Sequence, residues 1–156
     1  MAEYCSPLAA LCGRILLSAI FLLSAFGKMM DWSGTAAGME KHGMVAVPFF
    51  LAGAIALELG GGLSVLLGLK ARWGAVALLV FIVPATLIFH NFWAEDGAAR
   101  MNQMTNFMKN IAIMGGLLTV VAHGAGGFSI DNWRHSRSEA RPTARRSIEP
   151  AEAGVP

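Results

Sequence analysis

The stretch Val47–Leu69, VPFFLAGAIALELGGGLSVLLGL, decides the fold. It runs for 23 residues, and Glu58 is its only charged residue. A run of about 20 apolar residues is long enough to cross the hydrocarbon core of a bilayer. A carboxylate near its middle is unfavourable by roughly 2.5–3.5 kcal/mol on insertion scales. Glu58 must therefore be paired, protonated or used. Gly60, Gly61 and Gly62 follow it closely, and Gly61 and Gly62 flank the face that bears it, so a neighbouring backbone or a flat ligand can approach there.

The rest of the chain agrees with a membrane protein. Of 156 residues, 55% are hydrophobic and 14% charged. Soluble domains carry about 25% charged residues. Spans are expected at about 8–30, 47–69, 73–93 and 107–125, giving an all-α bundle of four transmembrane helices. Residues 1–13 contain no Lys or Arg, so a cleavable signal peptide is not expected. Residues 31–46 and 94–106 form the longer connectors, the first with room for a short surface helix. Pro84 lies inside the third span, where it frees a backbone carbonyl and favours a kink. From Asn132 the chain becomes rich in Arg, Ser, Pro and Ala, and 132–156 reads as a disordered tail. Cys5 and Cys12 fit neither a redox pair nor a zinc pattern.

Basic residues set the expected orientation. The Lys70–Arg72 turn and the tail together hold seven Lys and Arg, and an even number of spans places them on one side. The positive-inside rule puts that side, and both termini, in the cytoplasm. Membrane lipid is one partner, and a second copy of the chain is another candidate. No nucleic-acid partner is expected.

Helical spacing groups the polar residues. Arg14, Ser18, Phe21, Ala25 and Lys28 share one face of the first span. Lys109, Ile113, Gly116, Val120 and His123 repeat the pattern in the fourth, and Thr86 and His90 share a face of the third. Such faces turn toward the bundle interior. At 1.5 Å per residue, Glu58 lies about 16 Å below the outer start of its span. Lys28, His90, Lys109 and Asn110 fall near the outer boundary, roughly half a hydrocarbon thickness above it. Arg14 is therefore the first expected partner of Glu58.

Plainer readings stand beside these. Lys28 and Lys109 are long enough to snorkel to the headgroups. His90 needs no more than a neighbouring backbone partner. The Ala52, Ala56, Gly60 stripe is explained by helix packing alone. Four scattered histidines give no metal-binding spacing, and no metal site is expected.

In order, the chain carries Arg14-Ile-Leu-Leu, Ser24-Ala-Phe-Gly27-Lys28 and Glu58-Leu-Gly-Gly-Gly62-Leu. His90-Asn-Phe-Trp, Lys109-Asn110-Ile-Ala-Ile-Met-Gly-Gly116 and Gly124-Ala-Gly126-Gly-Phe-Ser-Ile-Asp131 follow. Over residues 11–133 this combination resembles the DoxX family of small bacterial membrane proteins. The resemblance implies a four-helix bundle in the bacterial inner membrane. It also implies an accessory place in a membrane redox system, with a protein partner in a redox complex and a quinone as the ligand class. No cofactor motif of the chain's own is evident, and a non-catalytic scaffold or assembly factor is the competing reading. The positions matching the family pattern are Arg14, Gly27, Lys28, Glu58, Gly62, His90, Lys109 and Asn110. Gly61 and Gly116 join Gly27 and Gly62 as expected close-packing glycines.

Overall fold

The computed structural model describes residues 2–139, with the side chains of 7–137. The elements are α1 (Ala2–Met30), α2 (Trp32–Lys41), α3 (Val47–Leu67), α4 (Ala71–Phe89), a 3-10 turn (Phe92–Ala94), α5 (Gly97–His123) and α6 (Ile130–Glu139). Among the described residues four helices are long and apolar enough to cross a membrane: Pro7–Met30, Val47–Leu67, Ala71–Ala94 and Gly97–His123. The expected all-α four-span bundle is the observed fold.

The helices pack in the order α1, α3, α4, α5. The α3–α4 and α1–α3 pairs carry most of the packing, and α1 meets α5 only briefly. One end of the bundle carries α2 and the 3-10 turn (the connector end). The other carries the α3–α4 turn, the start of α1, and α6 (the turn end). Large apolar side chains cover the outside, with Leu16, Phe49 and Trp73 each about three-quarters exposed. That surface suits lipid, not water.

Two apolar clusters hold the interior. Phe21, Val65, Ala75, Leu78 and Leu117 fill the half toward the turn end. At the connector end, Met39 of α2 folds back onto Val47, Leu51 and Ile55 of α3. Asp31 starts α2, accepting a hydrogen bond from the Gly34 backbone N–H at 2.9 Å. Among the expected close-packing glycines, Gly61 meets Leu78 and the Gly74 carbonyl, Gly62 meets Leu22, and Gly116 meets Leu17. Gly27 does not belong with them: it is exposed, with nothing near its missing Cβ. It falls between Phe26 and Lys28, off the face of α1 that Arg14, Ser18, Phe21 and Ala25 bury. The Ala52, Ala56, Gly60 stripe likewise faces outward.

Three boundaries differ from the sequence expectation. The third helix begins at Ala71, because Asp131 accepts hydrogen bonds from the backbone N–H groups of Lys70 at 2.9 Å and Ala71 at 3.1 Å. The fourth begins at Gly97, well before Phe107. Its first turns, GAARMNQMT, contain good helix formers that are too polar to read as membrane span. The tail is helical through Glu139 as α6, with the Arg137 guanidinium 4.1 Å over the Trp133 ring. Local pairs and the Asp131 anchor form this helix without apolar periodicity. The arginine-rich remainder, 140–156, lies outside the described residues, as does the side chain of Cys5; Cys12 is an exposed free thiol.

The turn end is clasped shut. Arg14 donates through Nη2 to the carbonyls of Phe128 at 2.7 Å and Gly127 at 3.3 Å. The Asp131 N–H donates to the Gly68 carbonyl at 2.8 Å. Asp131→Ala removes both side-chain bonds to α4. It is expected to lower stability by about 0.5–2 kcal/mol, the usual range for losing a helix cap. A denaturation series in mixed micelles reads this directly, and an unchanged midpoint would count against the clasp.

Candidate functional site

Glu58 is 1% exposed, and its partner is Lys28, not Arg14. The Lys28 ammonium lies 2.9 Å from each carboxylate oxygen and hydrogen-bonds to Oε1. It also donates to Ser24 Oγ at 2.6 Å, one helical turn away. The Phe81 ring centroid is 5.5 Å from Nζ.

The reason for the exchange of partners is the direction of side chains on a helix. Every Cα–Cβ bond tilts toward the helix N-terminus. α1 starts at the turn end, so Lys28 reaches down into the bundle and Arg14 reaches away from Glu58. α3 starts at the connector end, so Glu58 reaches up. Two long side chains converging from opposite ends close a depth difference that the Cα positions alone leave open. Arg14 is 2% exposed and meets the two carbonyls of the turn-end clasp instead; its Nε and Nη1 have no hydrogen-bond partner among the described residues.

The ion pair borders a cavity of about 250 Å³ in the connector half of the bundle. All four spans line it: Ser24 and Lys28 from α1, Glu58 from α3, Phe81 and His90 from the α4 region, and Asn110 from α5. His90 ends α4 and pairs through Nδ1 with Gln103 Oε1 at 2.9 Å. Asn110 donates to Thr86 Oγ1 at 2.9 Å, and Thr86 donates to the Ile82 carbonyl at 2.6 Å. The structure thus brings Lys28, Glu58, His90 and Asn110 around one space.

It leaves Arg14 and Lys109 elsewhere. Lys109 is exposed and lines no part of this cavity. α5 starts at the connector end, so the same tilt carries Lys109 toward that boundary. Ser24 and Gln103 are contributors that the sequence reading did not single out. Ser24 was visible in principle, four residues before Lys28 on the same face. Gln103 was not, because it lies in the stretch read as a connector.

The chemistry available is specific. A lysine ammonium has three donors. Those of Lys28 face Ser24 Oγ and the two Glu58 carboxylate oxygens. Glu58 Oε2 is buried and lies 2.9 Å from the Lys28 ammonium. An ammonium and a carboxylate therefore stand side by side at the edge of the cavity.

The fold and site together define a multi-pass membrane protein with an intramembrane Lys–Glu pair beside a small polar cavity. Residues 9–91 match the DoxX family, and the chain belongs to it. Inner membrane protein YqjF of Escherichia coli (strain K12) is 36% identical over 121 residues, 78% of this chain and 88% of that protein. Inner membrane protein YphA of the same organism is 30% identical over 125 residues, 80% of this chain and 89% of that protein. A more distant relative is the Surfeit locus protein 4 homolog of Schizosaccharomyces pombe, 29% identical over 110 residues, 59% of this chain and 36% of that protein. No solved structure matches the chain significantly. With relatives of this kind and four apolar spans, the protein is a multi-pass protein of the bacterial inner membrane.

Proposed function

We propose that the protein is an accessory, quinone-linked subunit of a membrane redox system, with the quinone head in the cavity beside Lys28 and Glu58. One observation carries the reading: the buried Glu58 carboxylate and the Lys28 ammonium, 2.9 Å apart, stand together at the edge of a cavity that all four spans line. Ionisable groups inside a membrane span are unfavourable to desolvate and are functional by default. The residues fit a planar head bearing carbonyl or hydroxyl oxygens. Lys28 would donate to one oxygen and Glu58 would accept from, or hold a proton for, the same head. Asn110 and His90 border the same space, His90 held by Gln103. A bound quinone supplies two-electron, two-proton redox chemistry. Electrons would reach it through a partner protein in a redox complex.

With the termini cytoplasmic, as the basic residues favour, the cavity lies in the outer half of the membrane. Glu58→Gln is then expected to abolish quinone-dependent electron flow in membranes, with rates normalised to the amount of folded protein present. Unchanged rates across a panel of electron donors would sink the reading.

The scaffold reading has its own supporting observation. Lys70, Arg72, Arg134 and Arg137 are all exposed at the turn end, beside the Arg14–Asp131 clasp. A basic rim of this kind suits anionic lipid or an acidic partner. Deleting residues 134–156 separates the two: loss of a copurifying partner with quinone binding intact favours the scaffold.

A further inference from the structure

A second space adjoins the polar cavity. It is an apolar groove of about 680 Å³ between the connector halves of α3 and α4, roofed by Met39 of α2. Its walls include Phe50, Ala54 and Leu57 of α3 and Val80 and Pro84 of α4. Three residues, Lys28, Phe81 and Ala85, line both spaces. The groove and the polar cavity therefore share one wall, and Lys28 stands in it.

The groove follows from the sequence of the two helices. Toward the turn end, Gly61 lets α3 close onto the Gly74 carbonyl and Leu78 of α4. Toward the connector end, Gly53 and Ala54 leave the facing side of α3 without bulk. Val80 and Phe49 at the margins are 61% and 76% exposed, so the groove is open to the hydrocarbon around the bundle.

The geometry points to a long-chain amphiphile as the occupant: an isoprenoid quinone whose chain lies in the α3–α4 groove while its head meets Lys28 and Glu58. This rests on the quinone reading above and adds to it the route of entry and the selection for a chain. Adjacency of the two spaces is the argument: Lys28, Phe81 and Ala85 border both. A polar cavity alone would suit a small solute, and an apolar groove alone would suit any acyl chain. An ion pair in the cavity, with its ammonium in the wall shared with the groove, suits a molecule with one polar end and one apolar end. Lipid tails are as apolar as the groove, so the chain gains packing and not dehydration. The expected selection for chain length is accordingly modest, about tenfold.

The test is photolabelling of the full-length protein in lipid nanodiscs, using a benzoquinone with a diazirine on its isoprenoid chain. Labelled peptides containing residues 49–57 and 80–89, suppressed by excess unlabelled isoprenoid quinone, are the expected result. Ala54→Trp should lower this labelling about tenfold, with Leu63→Trp on the lipid-facing side of α3 as the control for bulk. If Ala54→Trp does not fold, the wild-type map still decides. Competed labelling confined to α1 and α5 would overturn the groove and leave the quinone reading standing. Labelling that unlabelled quinone does not suppress would overturn both.

Discussion

Lys28→Ala is expected to destabilise the folded bundle by about 3–5 kcal/mol, the usual result of stranding one member of a buried ion pair. Glu58 is 1% exposed, so removing the ammonium leaves its carboxylate buried and unpaired. Glu58→Ala should be milder, because Lys28 is 21% exposed and its long stem can carry the charge toward the connector end. The double variant Lys28→Met with Glu58→Leu should recover most of the loss. It removes both charges and keeps comparable volume, and such replacements are often neutral or stabilising. Unfolding in mixed micelles, followed by circular dichroism, gives all three values. Single variants within about 1 kcal/mol of wild type would mean that the pair is solvated and behaves as a surface salt bridge. The same series separates stability from function: a double variant that folds well and binds no quinone has lost the site alone.

Gly68→Ala should be the most damaging glycine substitution, by at least about 2 kcal/mol. Gly68 ends α3 with φ at 63°, in the left-handed region. Holding a residue with a Cβ there costs about 1–2 kcal/mol. The added methyl would also overlap the Arg14 guanidinium and Ser129. Arg14 cannot move aside easily, because its Nη2 is held by the Phe128 carbonyl at 2.7 Å. The Gly68 carbonyl in turn accepts from the Asp131 N–H at 2.8 Å. One methyl group therefore strains the end of α3, the α1 arginine and the approach to α6 together. Gly60→Ala provides the contrast: its missing Cβ points into open space within the same helix. Helix propensity predicts a neutral or slightly stabilising effect there, of up to about 1 kcal/mol. Equal midpoints for the two variants would remove the turn-end clasp from the account.

Much of this protein was legible in its residues. The spans were set by hydrocarbon thickness, which demands about 20 apolar residues whatever the packing. The buried face of α1 was set by helical period: Arg14, Ser18, Phe21 and Ala25 are each no more than 3% exposed. A Cβ at Gly61, Gly62 or Gly116 would press on Leu78, Leu22 or Leu17 of a neighbouring helix. The connector before α5 was misread because a polar helix extending past the membrane carries no hydropathy signal. Asp131 was noted only as the end of a family pattern. Its task as a cap on α4 depends on a contact across 60 residues of chain.

Composition and period by themselves determined a four-span membrane bundle with an acid at its centre, because transfer into hydrocarbon is a property of segments. Which cation meets that acid was decided only in three dimensions. Depth along each axis favoured Arg14 as the partner of Glu58. Side-chain tilt on antiparallel helices sends Lys28 down and Glu58 up until they meet at 2.9 Å, and sends Arg14 to the carbonyls at the far end. A rise per residue locates a Cα. An ion pair forms between the ends of side chains, and their directions follow from how the helices are laid against one another.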